Sequence, residues 1–299
     1  MLGTAMCRAL QREGTAVLQL VRREPRQPRA GAGVTEVRWN PAAPGGGIDL
    51  TAIEGLDAVV HLSGANVASH RWTATYKSEI TESRVGTTRA LTEALIQLKT
   101  PPKVLAAASA VGFYGDRGDE ILDENSLAGK GFFPELCQTW EAASQPAVQA
   151  GIRVVHLRFG MVIAREGGAV AKLTPLFRLG LGGRLGDGKQ WVSWVSEADV
   201  VAAVLFAIRN DGISGPVNVV APEPVTNAQF TREMAHAVHR PAVVPVPAFA
   251  LRVALGDMAD EALLASTRVV PPRLLASGFK FQHPRLTDAL AAALQSSSG

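Results

Sequence analysis

Two stretches, Met1–Leu10 (MLGTAMCRAL) and Thr15–Arg23 (TAVLQLVRR), decide how the rest of the chain is read. Leu2, Met6, Ala9 and Leu10 recur at helical spacing, so the first stretch reads as an amphipathic helix. Gly14 stands where a glycine closes a helix in the left-handed conformation that side chains disfavour. The second stretch is an apolar run of strand length.

Working outward, the same alternation continues. Strands are expected at Ala16–Val21, Thr35–Trp39, Asp57–Ser63, Lys103–Ser109 and Arg153–Arg158. Helices are expected at Leu2–Glu13, Tyr76–Leu98, Glu135–Ala150 and Glu197–Arg209. Short apolar strands joined by helical crossovers imply a doubly wound parallel sheet covered on both faces, an α/β fold. The pattern changes after about Gly212. Pro216–Val220 reads as one more strand, and Thr226 with Gln229 forms a capping-box signal for a helix reaching about Val238. Val243–Gly256 reads as a short strand and another helix. Two domains are therefore expected, residues 1–224 and a small, mostly helical one at 225–299. The Pro- and Gly-rich loops Arg22–Gly33 and Asn40–Gly47 read as exposed, and the terminal SSSG as a disordered tail.

Apolar residues make up 47% of the 299, enough for a sizeable core. A net charge of +3 is too small to mark a nucleic-acid binder. Two distant cysteines, Cys7 and Cys137, form neither a disulfide framework nor a metal cluster, which fits a reducing compartment. No apolar run reaches the ~18 residues needed to cross a bilayer, and no charged-plus-apolar leader opens the chain. A cytoplasmic protein that binds no membrane is the expectation.

Several positions could carry chemistry. Gly3 opens a helix, whose free N–H groups and positive dipole end suit a pyrophosphate; one glycine alone is equally an ordinary helix start. Arg22 and Arg23 follow a strand about 20 residues later. There an acidic residue would select NAD, and an arginine accommodates the 2′-phosphate of NADP, unless Arg22, Arg23, Arg26 and Arg29 are simply a solvated basic loop. Ser63, Gly64 and Ala65 end a strand in small residues that let a flat ligand approach the backbone, or that make a tight turn. Glu79 and Arg84 lie on one predicted helix, on neighbouring faces, as a solvated face or a cofactor rim. Ser109 ends a strand where parallel sheets bind ligands, and could bond a substrate or cap the turn. Trp191 and Trp194 alternate as strand neighbours do, as core or pocket wall. His61, in an apolar run, reads as a core residue. His236 and His239 have no third partner, so no metal is expected.

Together these segments resemble the extended short-chain dehydrogenase/reductase superfamily. Within it they are similar to the branch of NAD(P)-dependent epimerase family proteins with a C-terminal domain of unknown function. GTAMCRAL, DAVVHLSGANV, SAVGFYGDRGDEILDE, VVHLRFGMVIAREGGAV and RVVPPRLLASGF are among the segments that carry it. The resemblance implies a Rossmann-type sheet, NADP(H) binding and a small-molecule substrate pocket between two domains; homodimers are common in the superfamily. It matches Gly3 to the last fingerprint glycine, Arg22 to the basic residue after the second strand, and Leu62 and Ser63 to the cofactor-lining strand end. It matches Glu79 and Arg84 to helix positions turned toward the cofactor, Ser109 to the active-site serine, and Val162 to the segment on the nicotinamide side.

Two departures stand out. The superfamily's Tyr-x-x-x-Lys pair is absent, because Tyr76 and Tyr114 are followed four residues on by Ile80 and Gly118. If Glu141 matches the glutamate after that pair, Phe133 and Cys137 occupy its positions, and Cys137 is either a buried helix residue or a thiolate candidate. The expected function is accordingly an NADP(H)-binding epimerase- or oxidoreductase-like protein with an altered proton donor, or a non-catalytic NADP(H)-sensing protein that acts through a partner. The second departure is that the family's first strand and first glycines would precede Met1. A short N-terminal extension is therefore expected, and weak cofactor binding without it.

Overall fold

The computed structural model describes residues 1–26 and 33–294. Arg29 and the terminal SSSG lie outside the described residues. The chain opens with helix α1 (Leu2–Arg12) and continues through strands β1 (Val17–Val21), β2 (Val34–Arg38) and β3 (Ala58–His61). Helices α2 (Ala74–Thr81) and α3 (Thr87–Leu95) lead to β4 (Val104–Ala110), the two-residue β5 (Ile121–Leu122), and helices α4 (Phe132–Ala142) and α5 (Gln145–Gln149). There follow β6 (Arg153–Phe159), β7 (Met161–Ile163), α6 (Gly168–Arg178), β8 (Trp191–Val192), β9 (Trp194–Ser196), α7 (Glu197–Arg209) and β10 (Gly215–Val219). The remainder is β11 (Val225–Thr226), α8 (Asn227–Ala237), α9 (Ala248–Leu255), β12 (Arg268–Val269), α10 (Pro272–Ala276) and α11 (Leu286–Leu294).

The fold is the expected α/β one. The main sheet runs β10-β6-β4-β3, and β1-β2 form a separate parallel pair. Every pairing in these two sheets is parallel. The period of two sorts the central strands onto both faces. Val104, Ala106, Val155 and Leu157 pack with α1 and α7 residues such as Met6 and Val204. Leu105, Ala107 and Val154 pack on the other side with Leu91 and Leu95 of α3. A sheet buried on both faces must be apolar throughout, which is why β4 reads VLAAASA.

Two local expectations need correction. The helix expected over Tyr76–Leu98 is interrupted by a π-helical turn at Glu82–Gly86. The helix expected over Glu135–Ala150 starts earlier and divides at Ala143–Ser144, with Pro146 opening its second piece. The C-terminal segment contributes short strands to the earlier part of the chain. β11 pairs with β8 and β12 with β5, so it is laced into the first two thirds of the chain. Asp199 is fully buried and accepts hydrogen bonds from Ser196 Oγ, Gln282 N and His283 N, fixing the chain's end to the start of α7. The capping box at Thr226 and Gln229 forms as expected.

Candidate functional site

The carboxyl ends of β1, β2 and β3 converge on a cavity of about 740 Å³. Its wall includes Leu20, Arg22, Trp39, Leu62, Ser63, Gly64, Ala65, Asn66, Tyr76, Glu79 and Glu82. Strand ends of a parallel sheet are where such folds receive ligands, because backbone groups there have no further ladder partner. Of the residues singled out from sequence, Arg22, Leu62, Ser63 and Glu79 meet here. Asn66, Tyr76 and Trp39 were not anticipated. Asn66 has a local signal, since it ends the small-residue run SGAN. Tyr76 has none, because its hydroxyl is fixed by donation to the backbone carbonyl of Asn66, ten residues away.

The two adjacent arginines separate. Arg23 forks onto Glu36, donating from Nη1 to Oε2 at 2.7 Å and from Nη2 to Oε1. With that fork and a further bond from the Arg26 amide, the Glu36 carboxyl is held down at about 2. Arg23 is thus occupied by a neighbouring strand and does not line the cavity, which corrects its expected cofactor role. Arg22 lines the cavity and has no ion pair among the described residues.

Arg84 is placed by the π-helical turn, whose wider repeat swings it under the end of β3. Its Nη2 donates to Ala65 O at 3.0 Å and its Nη1 to Ile80 O at 3.2 Å, while the guanidinium lies over Trp140. Ser83 Oγ accepts from Ala65 N at 2.9 Å. A Cβ on Gly64 would stand 3.1 Å from Arg84 Cζ, so glycine allows the brace to close. Arg84 therefore shapes the cavity floor rather than lining it.

The end of β4 is built differently. Ser109, Arg158 and Asn218 are register partners across β4, β6 and β10. Ser109 Oγ donates to Glu141 Oε1 at 2.7 Å. Arg158 forks onto the same carboxylate, from Nε to Oε1 at 2.8 Å and from Nη2 to Oε2 at 2.9 Å. Arg158 Nη1 donates to Tyr114 Oη at 3.0 Å, and Tyr114 donates to Asn218 Oδ1 at 2.7 Å. Asn218 Nδ2 in turn donates to Val270 O in the C-terminal segment. Burial pushes the Tyr114 phenol up to about 12, so it stays protonated. Ser109 is 2% exposed and sits outside the open cavity.

Cys137 is fully buried on α4, and burial, with the nearby Glu141 charge, pushes its thiol up to about 12. It is a neutral thiol, and the thiolate option is corrected. Phe133 packs edge-on against Trp72 with ring centroids 4.7 Å apart, beside Phe132. Glu261 Oε2 accepts from the Phe133 amide at 2.8 Å, and Lys77 bonds Asp257 at 2.6 Å. The segment around Met258 thus closes over the aromatic wall.

The structure leaves two further residues out of the cavity. Gly3 lies in the first turn of α1, a helix packed against α7, with nothing within 4 Å of where its Cβ would be. Val162 pairs with Val195 in the short β7-β9 ladder and packs into the core. Among the described residues no His, Cys, Asp and Glu group could hold a metal, and no helix is long and apolar enough to cross a membrane.

A doubly wound parallel sheet whose strand ends surround such a cavity defines a Rossmann-type protein of the NAD(P)-binding class. Residues 1–221 match the NAD dependent epimerase/dehydratase family, and residues 246–293 match a domain of unknown function, DUF1731. The chain belongs to the NAD dependent epimerase/dehydratase family. It is 43% identical over 291 residues to an epimerase family protein of Mycobacterium leprae, covering 97% of this chain and 92% of that one. The structure of human epimerase family protein SDR39U1 (isoform 2) with NADPH superposes with a TM-score of 0.86 at 31% identity, covering 98% of this chain and 95% of the human one. A nucleoside-diphosphate sugar epimerase from Corynebacterium glutamicum superposes with a TM-score of 0.79 at 36% identity, covering 98% of this chain and 56% of that one.

Proposed function

We propose that the chain is an NADP(H)-dependent epimerase- or oxidoreductase-like protein whose proton handling runs through Ser109 and Glu141. The observation that carries it is the division between Arg22 and Arg23. Glu36 engages Arg23, which leaves Arg22 as the guanidinium facing the cavity, where an arginine suits a 2′-phosphate. The small run Ser63-Gly64-Ala65 fits a dinucleotide lying close to the backbone, and a 31% identical relative with NADPH supports the cofactor choice. In this reading residues 1–224 form the cofactor domain and 225–299 the smaller one.

A bound nicotinamide supplies hydride transfer. Ser109 commits its single hydroxyl proton to Glu141, so its oxygen is left as an acceptor. Ser109 Oγ would accept a substrate proton, passing its own to Glu141 Oε1, only with the end of β4 opened to substrate, because Ser109 is 2% exposed. Arg158 binds both carboxylate oxygens and holds that acceptor in place. Turnover across a panel of carbonyl and sugar-nucleotide substrates, with Glu141→Gln as the control, tests the chemistry. Product formation equal to the enzyme-free blank throughout, read both as nicotinamide consumption and as epimerised sugar, would overturn it.

A second reading, an NADP(H)-sensing protein without catalysis, is favoured by one observation. The end of β4 is sealed: Ser109 is buried, Cys137 is a neutral thiol and Phe133 has no proton to give. Partner binding that is the same with and without NADPH would exclude it.

A further inference from the structure

A second cavity, of about 430 Å³, lies on the outer face of α8, between that helix, Arg184 and the segment Ala242–Pro245. It shares no residue with the strand-end cavity. Three features make it more than a surface crease. The first is Thr231, which lines the cavity although it is only 5% exposed. Its hydroxyl makes no hydrogen bond to the protein among the described residues, not even the back-bond to the preceding helical turn that Thr174 makes. Solvent reaches this hydroxyl, so it is free to bond an occupant of the cavity.

The second is charge. Arg184 has no carboxylate partner among the described residues, and Arg232 has only the adjacent Glu233 at 3.4 Å. Both arginines line the same cavity. The third is how Arg184 is held. Its carbonyl accepts from Val246 N at 2.8 Å, and the next amide, Leu185 N, donates to Asn227 Oδ1 at 2.8 Å. Gly188 has φ +73, and a Cβ there would stand 3.3 Å from Arg184 Cδ and 3.1 Å from Ala228 Cβ. The glycine therefore leaves a slot in which the arginine stem lies against α8. Ala228, Ala235, Ala242 and Pro245 supply apolar walls.

We propose that this cavity is a binding site for a small organic anion: a phosphate or carboxylate head held by Arg184 and Arg232, hydrogen-bonded to Thr231, with a short apolar body against the alanines. Forked guanidinium groups recognise either head. The apolar walls distinguish an organic anion from a free inorganic one.

Calorimetric titration with butyl phosphate, butyrate and inorganic phosphate tests it, with the threonine and alanine methyl NMR signals as the local readout. One-to-one binding of butyl phosphate or butyrate is expected, tighter than that of inorganic phosphate, with shifts at Thr231 and Ala235. The better of the two heads assigns the ligand as a phosphate ester or a carboxylate. Arg184→Gln weakens binding by about tenfold, the loss of one charge-assisted fork. Thr231→Val weakens it by about threefold, and NADPH affinity stays unchanged in both. No binding by either organic probe, binding equal to that of inorganic phosphate, or affinity indifferent to both substitutions would overturn the proposal.

Discussion

β3 and β4 lie side by side in one sheet, yet their carboxyl ends meet the ligand side in opposite ways. The end of β3 runs into Ser63, Gly64 and Ala65 and opens on a cavity, with Arg84 bracing it from behind. The end of β4 runs into Ser109 and is closed by Glu141, Arg158 and the wall of Trp72 and Phe133. The open end has free donors and a free cation available for binding. The closed end has every donor engaged, so its polar groups act first as structure. The open cavity and the polar network are therefore separable, and substitutions should separate them.

The largest effect is expected at the closed end. Arg158→Met leaves the Glu141 carboxylate buried without its partner, which costs roughly 3–5 kcal/mol. Urea unfolding measures it, and the folded fraction should keep its NADPH affinity. A loss below about 1 kcal/mol would show that water reaches the pair and that the end of β4 is not closed.

Next is a pH effect at the base of the open end. His61 shares a hydrogen bond with Thr88 Oγ1 at 3.1 Å, and burial lowers its pKa from 6.5 to about 4. Between these values the unfolded chain binds a proton that the folded chain refuses. Stability from this group is thus fully present above pH 6.5 and lost as pH falls toward 4, by on the order of 3 kcal/mol. Unfolding midpoints across this range should slope for the native chain and flatten in His61→Asn. Equal slopes would assign the effect to other groups.

Third is the arginine pair. Arg22→Ala should weaken NADPH binding roughly 10- to 100-fold and leave NADH unchanged, as expected for one lost guanidinium–phosphate contact. Arg23→Ala should change either affinity by less than about threefold, because its ion pair is exposed. Fluorescence titration separates the two, and the reverse pattern would place the phosphate on the other arginine.

Much of this comparison was legible in the sequence, and the reasons differ by residue. The apolar run before Ser63 and the capping box at Thr226 are local patterns, in which spacing along the chain fixes the backbone. Arg22 and Ser63 were legible because a parallel sheet sends its strand ends to one side. Arg23 was not, since Glu36 lies thirteen residues on and nothing local pairs them. Arg84 was expected to face the cofactor along a regular helix, whereas the π-helical turn rotates it beneath the strand. The Ser109–Glu141–Arg158 row spans three separate elements, and only strand register brings it together.

By itself, then, the sequence determined that the chain alternates strand and helix, that its central strands are buried on both faces, and that a basic residue follows the strand expected at Ala16–Val21. Those are consequences of periodicity and of which residues tolerate burial. Only the tertiary structure decided which arginine stays free, that Cys137 is a neutral thiol, and that Ser109 is sealed while Ser63 is open. Charge pairing and desolvation depend on distances between residues far apart in the chain, and those distances exist only once it has folded.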